Sequence, residues 1–124
     1  MPFISDNVFD NGLAYLTANG TRLDICSQQP TTYAEATSTY SLGNKTGLTV
    51  GSPANGAVNG RRVTIPAVSD GSVTGTGTAT HWALTKVTAT TELLATQALS
   101  SSQAVTNGNT WSINALDVTI PDAA

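Results

Sequence analysis

Residues 78–99 hold Trp82, the sole histidine and the densest run of large apolar side chains, in a chain otherwise dominated by Thr, Ser, Gly and Asn. Trp82 and Leu84 share one parity while His81, Ala83 and Thr85 share the other, a spacing of two that belongs to a strand. After the short connection TATT, the segment ELLATQAL places Leu93, Ala95 and Gln97 on one side and Leu94, Thr96 and Ala98 on the other. This pattern predicts a central β-hairpin with Trp82, Leu84, Leu93 and Leu94 in the core. The rest of the chain must then supply strands to cover it.

Turn residues divide the remaining sequence into short runs. LAYLTA and TRLDIC flank Asn19-Gly20, the strongest short hairpin signal. That turn would set Leu16 opposite Leu23 and Ala14 opposite Ile25, leaving Tyr15, Arg22, Asp24 and Cys26 on a more polar face. Thr32 followed by Glu35 has the form of a capping box and predicts a short helix near residues 32–39, stopped by Gly43. A strand is expected at Gly47–Val50, then a surface loop over 51–60 with Pro53, Asn55-Gly56 and Asn59-Gly60. RRVTIPAVS alternates with Val63, Ile65 and Ala67 on one face, and Pro66 marks an edge or a bulge. Asp70-Gly71 reads as a second hairpin turn. In the last strand Trp111 and Ile113 have one parity and Leu116, Val118 and Ile120 the other, so a bulge or bend is expected near Asn114 and Ala115.

About eight short strands result, the makings of an all-β fold: an antiparallel β-sandwich or barrel with one short helix. With 124 residues and 12.7 kDa the chain suits a single domain. The boundaries expected are an amino-terminal arm over residues 1–12, carrying Phe3 and Phe9, and one β domain over 13–124.

Charge is scarce. Only 10% of residues are charged, against roughly 25% in an average soluble protein. Five basic residues, with Arg61 and Arg62 adjacent, cannot line a phosphate track, so nucleic acid is not an expected partner. No apolar run approaches the roughly 20 residues of a membrane helix, and MPFISDNVFD lacks the form of a signal peptide. The eight acids are scattered and His81 stands alone, so no catalytic, cofactor-binding or metal-ligating set is expected. Cys26, the single cysteine, has no internal partner; a disulfide through it would have to be intermolecular. His81 beside Trp82 is read as a structural hydrogen-bonder or interface residue. Were the chain a carbohydrate-binding sandwich, Trp82 or Trp111 would have to offer an exposed face to a sugar ring.

The strings SQQPTTYAEATSTYSLGNKTG, NGRRVT, SDGSVTGTGTATHWAL, LLATQALSSSQAVTNGNTW and IPDAA carry a resemblance over residues 22–124. Together they resemble small β-rich virion structural proteins of tailed double-stranded-DNA bacteriophages, and in size and composition capsid decoration (cement) proteins. The resemblance implies a non-enzymatic particle component that bridges major capsid protein subunits. It implies a place on the outer surface of the virion and self-association as a homotrimer, and the amino terminus without a signal-peptide form fits synthesis in the host cytoplasm. A neck, collar or tail-fibre role is the alternative within a virion. Phe3, Phe9, Arg61 and Arg62 are the candidate interface residues.

Overall fold

The computed structural model describes residues 6–56, 60–87 and 91–120, with side chains from residue 12 onward. The elements are helix α1 (Asp6–Asn19), β1 (Arg22–Cys26), a π-helical turn (Glu35–Thr39), β2 (Ser41–Lys45), β3 (Ala54–Asn55), β4 (Arg61–Ile65) and β5 (Val68–Val73). They continue with β6 (Gly77–Lys86), β7 (Glu92–Val105), β8 (Thr110–Ile113) and β9 (Leu116–Ile120). All pairings are antiparallel. Six strands form one curled sheet in the order β7-β6-β1-β2-β5-β8, and three form a second in the order β3-β4-β9. The all-β architecture expected from the alternating runs is present, and so is the short helical segment near residues 32–39.

Alternation decides where the core lies. Pairing of Leu23 with Leu84 and Ile25 with Trp82 puts four large side chains on one face of the six-stranded sheet. Val63 and Ile65 of β4 meet them from the second sheet, joined by Leu13, Leu16, Val68, Val73 and Trp111. Trp111 is seated by glycine: a Cβ on Gly71 would fall on its indole, and one on Gly43 would lie 2.8 Å from its Cδ1. Its Nε1 donates to the Ser72 carbonyl at 3.1 Å. On the opposite face of the sheet the π-helical turn lays Ala36 against Cys26 and Ala83.

Several local expectations are corrected. The Asn19-Gly20 hairpin does not form: residues 13–18 belong to α1, with Leu13 and Leu16 three apart on its buried side. Leu16 and Ala14 therefore do not pair with Leu23 and Ile25. Both edges of β1 are already occupied, by β2 and β6, which leaves no ladder for a preceding strand. Asn19-Gly20 closes the helix instead, through Asn19 Nδ2 donating to Tyr15 O and Gly20 N–H to Leu16 O. Glycine is required there because a Cβ would lie 2.7 Å from Leu84 Cδ2.

The helix also runs through the expected arm boundary at residue 12. Phe3 lies outside the described residues, and Phe9 falls in α1 with its side chain outside them. The strand expected at 47–50 lies at Ser41–Lys45. Asp70-Gly71 is not a turn but part of β5, where an extra residue makes a bulge between Val68 and Gly71. Pro66 separates β4 from β5 and leaves Ala67 exposed. The 78–99 hairpin exists as β6 and β7, but β7 is an edge strand, and Leu93 and Leu94 are only half-buried.

Candidate functional site

A cleft opens where the curled sheet fails to close. β7 and β8 are consecutive strands joined by the turn 106–109, in which Gly108 adopts φ +92°. They do not pair along their length, because β7 is held by β6 and β8 by β5 at opposite edges of the sheet. Gly108 N–H donates to Val73 O and Asn107 N–H to Thr76 Oγ1, which pins the turn to the β5–β6 connection. Gln103 Nε2 then donates to Ser112 O at 3.1 Å and clasps the two arms near their junction. Beyond that clasp they diverge as a V enclosing a cleft of about 790 Å³.

Three interruptions of the ladders border this cleft. β7 pairs with β6 at Gln103↔Ala79 and again at Ala98↔His81, so residues 99–102 form a bulge without one-to-one register against that strand. β5 is bulged between Val68 and Gly71 opposite β8. β8 ends at Ile113, and the chain bends through Asn114-Ala115 into β9 of the second sheet, as the change of parity predicts. Bulges gather at sheet edges and beside binding sites because they redirect side chains and leave backbone groups without a ladder.

The lining is apolar at its floor, with Trp82, Val68, Leu99 and Ile113, and neutral and polar at its walls, with Gln97, Gln103, Ser100, Ser101, Ser112 and Asn114. Asp117 is the single titratable lining residue among those described. It is already engaged: Oδ2 accepts from Arg62 Nη1 and Oδ1 from Thr64 Oγ1, each at 2.8 Å. Amides and hydroxyls both donate and accept, so the walls match a neutral occupant with hydrogen-bonding groups of both kinds. Trp82 and Trp111 are each only 2% exposed, so neither offers the ring face that sugar stacking at these residues requires.

A second polar cluster lies under the π-helical turn. Arg22 Nε and Nη2 grip the Asp24 carboxylate at 2.7 and 3.0 Å, and Ser41 Oγ donates to Asp24 Oδ2 at 2.7 Å. Arg22 Nη2 also reaches Thr37 O of the turn. Burial pushes the Asp24 carboxyl above the usual carboxylate range, while the hydrogen bonds from Arg22 and Ser41 pull it back. The Arg22 guanidinium is raised by its hydrogen bond to Asp24. With Asp24 fully enclosed and its acceptors bonded, this cluster anchors the turn to β1.

Cys26 is free, wholly buried, and its Sγ contacts Ala36 O at 3.5 Å. Burial pushes its thiol up to about 12, so a bridge to another chain would first require the π-helical turn to lift away. The more polar face predicted for Cys26 is the correct face of β1, but the turn covers it. His81 Nδ1 lies 2.9 Å from Thr80 Oγ1, whose own proton goes to Ser27 O. Arg61 and Arg62 are half-buried in β4, with Arg61 Nη1 on Asn55 Oδ1 and Arg62 on Asp117. Among the described residues no three His, Cys, Asp or Glu side chains are grouped to hold a metal ion, and no helix is long and apolar enough to cross a membrane.

None of Arg61, Arg62 and Cys26 lines the cleft, although Arg62 supports its rim through Asp117; Phe3 and the Phe9 side chain lie outside the described residues. The parity change at 114–115 marks the rim of the cleft in the sequence, whereas Ser100–Ser102, which read as the start of a polar connection through Asn107-Gly108-Asn109, belong to β7, which runs to Val105. No family model, curated protein or solved structure matches this chain.

Proposed function

We propose that the chain is a non-enzymatic structural protein of a virion, acting as a capsid decoration protein that bridges and stabilises major capsid protein subunits. The observation that supports a binding role is the cleft between β7 and β8, with neutral walls, an apolar floor and a single carboxylate that is internally neutralised. Such a surface suits association, and the one titratable group among its described lining residues, Asp117, is held by Arg62 and Thr64. The particle setting rests on the sequence resemblance, as does the homotrimer expected at local threefold positions. Many copies would let individually weak contacts add up across the shell.

Mass spectrometry of purified particles, with copy number per virion, tests this reading. Hundreds of copies support decoration, about a dozen point to a neck, collar or tail position, and absence from the particle refutes a structural role. The carbohydrate-binding alternative loses its stated basis with both indoles buried.

A further inference from the structure

We infer that the V-shaped cleft receives an extended, uncharged peptide strand from a partner protein, laid along the outer edge of β7. This deepens the binding role proposed above by naming the occupant's chemistry. The first ground is hydrogen bonding. The register of β7 against β6 is broken by a bulge between Ala98 and Gln103, and β7 is the terminal strand of its described sheet, so the outward backbone groups of residues 97–103 face no neighbouring strand. Their backbone donors and acceptors can be satisfied by another main chain, the mode by which a strand adds to a sheet edge. Gln97 and Ser101 on one wall, with Ser112 and Asn114 on the other, add groups that both donate and accept.

Charge supplies the second ground. With Asp117 bound by Arg62 and Thr64, the cleft holds no unpaired charge among its described lining residues. A charged occupant would lose hydration there without gaining a counter-ion. The half-buried Leu99 and Ile113 supply the accessible apolar surface of the cleft, which suits small or β-branched side chains pointing inward at every second position. A saccharide is disfavoured because Trp82, the one aromatic residue among the described lining residues, is 2% exposed.

Selection from a random octapeptide library against the full chain, followed by titration of an enriched peptide, tests the assignment. Enriched sequences are expected to be uncharged and rich in Val, Ile and Thr, and to shift the backbone amide resonances of residues 97–103. Ser101→Glu, which places a charge on the cleft wall, should weaken the peptide at least about tenfold. Ser38→Glu, at an exposed position of the π-helical turn on the opposite face of the sheet and outside the lining, should leave affinity within about twofold. The inference is overturned if nothing is enriched over blank matrix, if charged peptides dominate, if both variants bind alike, or if maltohexaose rather than peptide shifts these resonances. Peptide binding by a chain absent from particles would retain the cleft assignment and remove the virion reading; many copies per particle without peptide binding would do the reverse.

Discussion

Three positions carry more of the fold than their size implies. Asp24 is fully buried, and its removal in Asp24→Ala would leave the Arg22 guanidinium without its carboxylate and Ser41 without its acceptor. Breaking a buried pair costs about 3–5 kcal/mol. Arg22 keeps 21% of its side chain exposed, so we expect about 3 kcal/mol, read as a lowered urea midpoint. Gly71→Ala puts a methyl group into the Trp111 indole, and overpacking of this kind should cost about 1–3 kcal/mol with loss of the near-ultraviolet signal of that tryptophan. Cys26 should not react with a thiol reagent in the native state, should react once per chain in denaturant, and should leave the protein monomeric on non-reducing electrophoresis. Burial raises its thiol from 9.0 to about 12, and the hydrogen bond to Glu92 raises Tyr15 above 10.0. The native state thus keeps protons that the unfolded chain releases. Stability from these groups is complete below pH 9 and is lost as pH rises toward 12. Urea titrations at pH 8 and pH 11 should show this fall, with a shallower one in Cys26→Ser.

Among the elements, the π-helical turn is the one most directly written in local sequence. Glu35 N–H donates to Thr32 Oγ1, and Glu35 Oε1 accepts from Thr31 N and Thr31 Oγ1. The box expected from Thr32 and Glu35 therefore closes, with the carboxylate shifted one residue back to Thr31. Thr32→Ala should cost about 1 kcal/mol of stability, with faster amide exchange confined to residues 33–40. Helix α1 was not legible, because Asn-Gly between apolar runs fits a hairpin and a helix end equally well. What decides between them lies far away: β6, some 60 residues on, takes the β1 edge that a hairpin partner would have used. The cleft was legible only at its rim for the same reason. The parity break at Asn114-Ala115 is local, but the gap between β7 and β8 follows from which outer strands hold them apart.

At the scale of the whole molecule, two sheets and one helix share a single apolar interior, with both tryptophans inside it. Native fluorescence should be only weakly quenched by acrylamide and strongly quenched after unfolding; efficient native quenching would contradict this packing. Leu16→Ala, which removes one of the two described leucines, with Leu13, that α1 buries in that interior, should cost about 2–4 kcal/mol. The long alternating runs made the all-β class and most of the core readable. Edge and centre were not, since a strand's neighbours are chosen by the rest of the chain.

The central position of β1 also has a consequence in time. Its partner β6 begins more than 50 residues later in the chain, and at about 5–20 residues per second of synthesis that delay is roughly 3–12 s. Throughout it, one edge of the most buried strand faces the cell without its ladder, a window for mispairing that occurs once for every copy made.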